Sequence, residues 1–274
     1  MKKVKWIFVT LMIACLLPGC AQMGQTTKSS SSPVMDRVIS RGELRVGVSG
    51  DMPPMNFLTK EDKVIGMDVD LATMIADAMG VKLNVQRIDF SGLLPALESG
   101  SIDMIVSNMT MTPDRNLQVA FVGPYFISGK AFLSKRSSVA QAKGLPDINS
   151  PEFTFAALKE STSEEVIREG ASQAKLLTPS TQDEAIQMVI DGKADAMIAD
   201  YSICVIAAYR NPEAGLVSVE APITYEPIGI AVPKGDPHLL NWLGNFLNSL
   251  ENSGYMNDLK EKWFAQSTWL SQMK

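Results

Sequence analysis

An α/β architecture in two lobes, each with its own sheet, follows from a short phrase that the chain uses twice. Residues 100–108 read Gly-Ser-Ile-Asp-Met-Ile-Val-Ser-Asn, and residues 192–200, 92 positions later, read Gly-Lys-Ala-Asp-Ala-Met-Ile-Ala-Asp. Each copy follows an amphipathic stretch (93–99 and 185–191), turns at Gly, sets an Asp before a short apolar run, and ends on a polar residue, Asn108 or Asp200. Helix, Gly stop and apolar run form the αβ half of a parallel-sheet unit. Open parallel sheets hold ligands beyond the carboxyl ends of their strands. The two polar ends are therefore expected to face one shared cleft.

The remaining elements follow in order. Residues 44–48 predict a strand that stops at Gly50-Asp51-Met52-Pro53-Pro54, which continues neither helix nor ladder. A helix over 69–79 is expected to be capped by Asp68 and stopped by Gly80, with a strand over 82–88 after it. Thr112 and Pro113 read as N-cap and first residue of the next helix. Residues 154–158 predict the first strand of the second lobe. Thr162 with Glu165, and Thr181 with Glu184, have capping-box spacing. A strand over 224–232, an amphipathic helix over 239–250 and a terminal segment over 255–264 complete the chain.

The N-terminus is of another kind. Lys2, Lys3 and Lys5 precede an apolar stretch over 6–17 broken only by Thr10. That is a signal peptide's basic and apolar regions, short of the roughly 20 apolar residues a membrane span needs. It ends Leu17-Pro18-Gly19-Cys20, which resembles the lipobox of bacterial lipoproteins, with Pro18 where a small residue is usual. The resemblance implies a signal peptide over 1–19, lipid attachment at Cys20 and membrane anchoring. Residues 20–35, with Ser29–Ser32, cannot bury a core and read as a flexible tether.

Composition narrows the function. The formal charge is −5, near −8 without the three signal lysines, and no basic stripe invites nucleic acid. The single histidine, His238, lies in a Gly-Asp-Pro-His turn, so neither a histidine metal cluster nor a Ser-His-Asp triad is expected. Cys204 has no disulfide partner once Cys15 leaves with the signal and Cys20 carries lipid, so stability must come from the core.

Five phrases carry a resemblance over nearly the whole chain. They are Gly-Met-Asp-Val-Asp-Leu (66–71), Asp-Phe-Ser-Gly-Leu-Leu-Pro-Ala-Leu (89–97), Thr-Met-Thr-Pro-Asp-Arg (110–115), Gly-Ile-Ala-Val-Pro-Lys-Gly-Asp (229–236) and Lys-Glu-Lys-Trp-Phe (260–264). In this order the chain resembles the amino-acid-binding branch of bacterial extracellular solute-binding proteins, the receptors of ABC importers. The resemblance implies the type II periplasmic-binding-protein fold, with two α/β lobes joined by a hinge that closes on ligand. Lobe 1 is expected over 36–126 and 228–274, and lobe 2 over 127–227, with crossings near 125–129 and 224–229.

By the same resemblance, Arg115 grips a ligand α-carboxylate, for which a guanidinium fork is suited. Asn108 and Thr110 bond the same head group, and Thr162 is a second carboxylate contact at a helix start. Asp200 holds the α-ammonium. Phe90 lines the ligand side chain, and Met52 stands where relatives often have an aromatic, leaving the side-chain pocket open in identity. Asp51 and Glu226 are acids at the pocket edge that either favour a cationic side chain or are solvated or hinge-bound, with Lys130 and Lys159 near enough to neutralise them.

The reading is a monomeric, lipid-anchored extracytoplasmic receptor that delivers a free polar or cationic α-amino acid to an importer's membrane subunits, without cofactor or metal. Two rivals share the fold. One is a cyclohexadienyl (arogenate) dehydratase, with Asp51, Lys130 and Glu226 as its acid and base groups. The other is an amino-acid sensor.

Overall fold

The computed structural model describes residues 32–142 and 144–274. Along the chain, strands and helices alternate as the patterning requires. The first stretch holds α1 (Pro33–Arg41), β1 (Glu43–Val48), β2 (Asp51–Met52), β3 (Asn56–Leu58), β4 (Val64–Ile65), α2 (Met67–Met79), β5 (Lys82–Arg87), α3 (Phe90–Glu98), β6 (Met104–Ile105), α4 (Pro113–Gln118) and β7 (Ala120–Ser128). The middle holds β8 (Lys130–Ser134), α5 (Ser137–Ala140), β9 (Thr154–Ala157), α6 (Thr162–Gly170), β10 (Lys175–Leu177), α7 (Gln182–Ile190), β11 (Ala196–Asp200), α8 (Tyr201–Arg210) and β12 (Val217–Ser218). The chain closes with β13 (Glu226–Val232), α9 (Pro237–Ser253) and α10 (Tyr255–Lys260).

Two five-stranded sheets result, ordered β5-β1-β6-β13-β7 and β10-β9-β11-β8-β12. Each has the same plan: three parallel strands from successive βα units, then antiparallel strands beyond them. The chain passes between sheets twice, at Gly129 and again before β13. The two passages pack closely: a Cβ on Gly129 would lie 2.4 Å from the Thr224 carbonyl oxygen, so a larger residue there would push the strands apart.

The repeated phrase has a physical reason. Gly100 and Gly192 take φ of 73° and 71°, the left-handed turn that ends each helix. The Asp that follows is a two-point staple. The Asp103 N–H donates to the Arg45 carbonyl at 2.8 Å, and its carboxylate accepts the Arg45 N–H at 2.9 Å. Asp195 repeats both bonds on Thr154, each at 2.8 Å. Each staple sets the register of the central strand against its parallel neighbour.

Apolar packing fills both lobes. Phe57 packs between Trp263 and Trp269, with ring centroids 6.0 and 5.2 Å away, and Phe155 lies between Phe132 and Phe153 at 5.9 and 4.6 Å. Cys204 is buried and its thiol is pushed up to about 12 by that burial, so it behaves as a small core residue. No helix among the described residues is long and apolar enough to cross a membrane.

Several expectations change in detail. The tether expected to reach residue 35 gives way to helix at Pro33, because the Asp236 carboxylate draws in the Ser32 hydroxyl and the Val34 N–H at 2.7 and 2.9 Å. The signal peptide and Cys20 lie outside the described residues. The segment after β1 does not stay irregular: β2 pairs with β3 in a small separate sheet. Asp68 is not an N-cap. Gly66 holds that place at φ 138°, and Asp68 turns inward to accept the Tyr125 hydroxyl at 2.6 Å and Asn56 Nδ2 at 2.7 Å. The capping device at α6 sits one residue earlier than expected, with Ser161 accepting the Glu164 N–H. The caps at Thr112 and Thr181 fall as expected.

Removing a staple leaves a strand N–H without its acceptor. Asp195→Ala should therefore lower unfolding free energy by about 1–3 kcal/mol. Asp103→Ala should cost more than Asp195→Ala, since Arg37, Arg41 and Arg45 share the Asp103 carboxylate. Urea titration followed by circular dichroism checks both, and an unchanged midpoint would refute the staple.

Candidate functional site

The polar strand ends meet. Asn108 follows β6 in a left-handed turn (φ 47°), and Asp200 ends β11. Asn108 Nδ2 donates to Asp200 Oδ2 at 2.8 Å, one lobe to the other. Asp68, buried in the first lobe, accepts the Tyr125 hydroxyl and Asn56 Nδ2. Burial pushes Asp68 up to about 6, with hydrogen bonding from Tyr125 and Asn56 opposing that rise.

Asp200 stands at the N-cap position of α8 but does not cap it with its side chain. The carboxylate points instead into the cleft, 4% exposed. Oδ1 accepts Lys130 Nζ at 2.6 Å, and Oδ2 accepts Ser128 Oγ at 2.7 Å as well as Asn108. Burial alone would raise this carboxyl, but the Lys130 ammonium and the hydrogen bonds hold it below the usual carboxylate range.

Arg115 comes from the first turn of α4, which Thr112 caps, and is 5% exposed. Its guanidinium donates to the Thr110 carbonyl and, across the cleft, to the Glu160 carbonyl, both at 3.0 Å. Glu160 itself is held at φ 59°, another left-handed residue at the cleft. The Phe90 ring lies with its centroid 5.5 Å from the guanidinium carbon. Burial pushes Arg115 down, opposed by Glu165, Glu226 and Asp200.

Glu226 opens β13, where the chain returns to the first sheet. Its Oε2 accepts the Thr110 and Thr162 hydroxyls at 2.8 and 3.0 Å, and its Oε1 accepts Thr224 Oγ1 at 3.0 Å. Thr162 is free to make this bond because Ser161 does the capping. Met52 packs beneath Asn108, whose Nδ2 lies 3.7 Å from the sulfur.

Seven of the nine predicted ligand contacts line one cavity: Met52, Phe90, Asn108, Thr110, Arg115, Thr162 and Asp200. Glu226 is not on that wall but bonds two residues that are. Asp51 is not on that wall but bonds a residue that is: its Oδ2 accepts the Gln182 N–H at 2.9 Å, holding the start of α7 from across the cleft. Burial raises the Asp51 carboxyl, and the Gln182 bond opposes it. Lys159 is 52% exposed in its side chain and reaches Glu160, so it neutralises neither Asp51 nor Glu226. Lys130 does that work at Asp200, and lies 3.8 Å from Glu226. Ser161, Ser163 and Gln182 also line the cavity and carried no sequence signal beyond helix starts.

The enclosed space is about 10 Å³, room for roughly one water. Any larger guest must therefore part the Asn108–Asp200 and Arg115–Glu160 contacts. Asn108 Oδ1 and Gln182 Oε1 are buried acceptors with no protein partner, so a guest with N–H donors would satisfy them. Among the described residues no cluster of His, Cys, Asp and Glu could hold a metal.

Comparison with known proteins gives this cleft a context. The family model for bacterial extracellular solute-binding proteins, family 3, matches residues 44–266. The cyclohexadienyl dehydratase of Pseudomonas aeruginosa is 26% identical, the alignment covering 92% of each chain. The ABC transporter glutamine-binding protein GlnH of Bacillus subtilis is 28% identical over 97% of this chain and 98% of its own. Among solved structures, the ancestral amino acid-binding protein AncCDT-1, a precursor of cyclohexadienyl dehydratase, superposes with a TM-score of 0.76 at 37% identity. That match covers 84% of this chain and 99% of the ancestral one.

Because Asp51 holds α7 across the cleft, Asp51→Ala should weaken closure. Small-angle X-ray scattering should then give a larger radius of gyration than wild type at the same pH. An identical radius would mean that the Asp51–Gln182 bond does not help hold the lobes together.

Proposed function

The chain belongs to the bacterial extracellular solute-binding proteins of family 3 and has their type II two-lobed fold; from that premise we propose that it binds a free α-amino acid, polar or cationic in its side chain, between its lobes. The observation that carries the reading is one cleft holding a buried guanidinium from the first lobe and a buried carboxylate from the second. Arg115, with two of its five N–H donors spent on carbonyls, keeps donors for a carboxylate. The Thr110 and Thr162 hydroxyls lie beside that place with their protons given to Glu226, and the Asp200 carboxylate, paired with Lys130, faces the ligand's ammonium. Met52 and Phe90 would take the ligand side chain.

Closure is the mechanism. A guest that replaces contacts made between lobes with contacts to both lobes favours the closed arrangement by that difference in affinity. The protein would work outside the cytoplasm, tethered by lipid on Cys20, and hand its cargo to an ABC importer's membrane subunits. Kinship with GlnH supports transport over sensing.

A second reading is kept by one observation. Lys130, Asp200 and Glu226 place an ammonium against two buried carboxylates, groups that general acid–base chemistry uses, and the Pseudomonas dehydratase is a relative over most of the chain. Turnover of a cyclohexadienyl acid by the purified protein would favour that reading.

A thermal-shift screen against the common amino acids should find a ligand, since binding at about 100 times Kd stabilises a fold by about 2.7 kcal/mol. Arg115→Ala should then weaken that ligand roughly 30-fold or more, the cost of removing one partner of a desolvated charge pair, with the fold retained. A loss of less than about threefold by calorimetry, far below what such a pair shows, would place the carboxylate elsewhere.

A further inference from the structure

Lys130 enters the cleft from β8 and is 4% exposed. In the antiparallel ladder of β8 and β11 it stands directly opposite Asp200. The ion pair between them, at 2.6 Å, therefore lies within one sheet of one lobe. Parting the lobes breaks the bond from Asn108 to Asp200 and leaves the lysine in place. A guest arriving at the second lobe meets a carboxylate already neutralised.

The remaining capacity of that carboxylate is small. Two oxygens offer about four lone-pair places; Lys130 and Ser128 keep two of them, and the third, held by Asn108, is released when a guest parts the lobes. A ligand ammonium brings three donors and a positive charge to two open places beside another ammonium. Lys130 itself has three donors and spends one on Asp200. Glu226 Oε2, at 3.8 Å, is beyond hydrogen-bond reach. Lys130 thus has donors left for an oxygen acceptor at the position where an amino acid carries nitrogen.

We propose that Lys130 stands in for a ligand ammonium on Asp200, so that the cleft accepts 2-hydroxy and 2-oxo carboxylates at least as tightly as the α-amino acids with the same side chain. The proposal rests on the reading that Arg115 receives the carboxylate, and it widens the ligand class at the other end of the head group. The lysine's free donors meet the hydroxyl or keto oxygen, and no like charge has to be accommodated.

The test is calorimetry with matched pairs: L-arginine against its 2-hydroxy analogue argininic acid, and L-glutamate against 2-hydroxyglutarate. In the wild type, the hydroxy acid of whichever pair binds should match or exceed its amino acid. Lys130→Met should move the ratio of the two affinities toward the amino acid by about tenfold or more, because Asp200 is then free for an ammonium. That variant leaves two buried carboxylates without their lysine. Lys130→Gln, which keeps a donor for Asp200 and removes the charge, carries the same comparison if the Met variant fails to fold. A wild-type preference for the amino acid above about tenfold, or a ratio unmoved in the folded Lys130 variant, would overturn the inference while leaving amino-acid binding intact. Failure of both pairs and of every common amino acid to bind would overturn the binding reading and this inference with it.

Discussion

The Asp200 carboxylate is buried at the carboxyl end of β11, where leaving its charge unpaired would cost about 3–5 kcal/mol. Its partners come from three places. Lys130 belongs to the neighbouring strand of the same sheet, Ser128 sits where the chain first leaves the other sheet, and Asn108 reaches over from the first lobe. The ion pair is thus part of the lobe, while the last hydrogen bond forms as the lobes meet. Closure completes the bonding of a group that is already charged, and that links the polar chemistry of the cleft to the position of the lobes.

Outside the cleft the two lobes are built to hold their shape. Asp103 and Asp195 each staple a central strand to its parallel neighbour by one main-chain bond and one bond to the carboxylate, and apolar side chains fill the space around them. The contacts between lobes differ in kind. Asn108 to Asp200, Arg115 to the Glu160 carbonyl and Asp51 to the Gln182 N–H are single hydrogen bonds. Water or a guest can replace such bonds at a net cost of about 1 kcal/mol each. Between rigid lobes and exchangeable contacts, movement is left to the two passages near Gly129 and Thr224. Those passages pack against each other too closely for a side chain at Gly129.

The repeated phrase was legible because it is chemically complete: turn, staple, strand and polar end all lie within nine residues, and each end arrived at the cleft. Arg115 was singled out by the family resemblance that the phrase over 110–115 carries, and the Thr112–Pro113 helix start brings it to the cleft. The partner of Asp51 could not be read from the sequence, because the Gln182 N–H is 131 positions away and is a main-chain group that any residue would carry. Asp68 looked like a cap because it precedes a helix after Gly; only the fold brings Tyr125 and Asn56 to it. Thr162 and Ser161 are both competent caps, and no local rule says which one the chain uses. The pairing of Lys130 with Asp200 depends on strand register across 70 residues, and single-sequence patterns do not encode register between distant strands.

The cleft contains two positive groups, Arg115 and Lys130, and two negative groups, Asp200 and Glu226, yet the two signs are not equally prepared for a guest. Arg115 is braced by main-chain carbonyls, which hold the guanidinium without neutralising it, and three of its donors remain. Glu226 is braced by three threonine hydroxyls and faces Lys130 at 3.8 Å. Asp200 alone is matched by a full opposite charge in its own ladder. An anion can therefore enter without dismantling the scaffold of its binder. A cation has to compete with a lysine that is covalently fixed beside the same carboxylate and gives up no translational freedom by staying there.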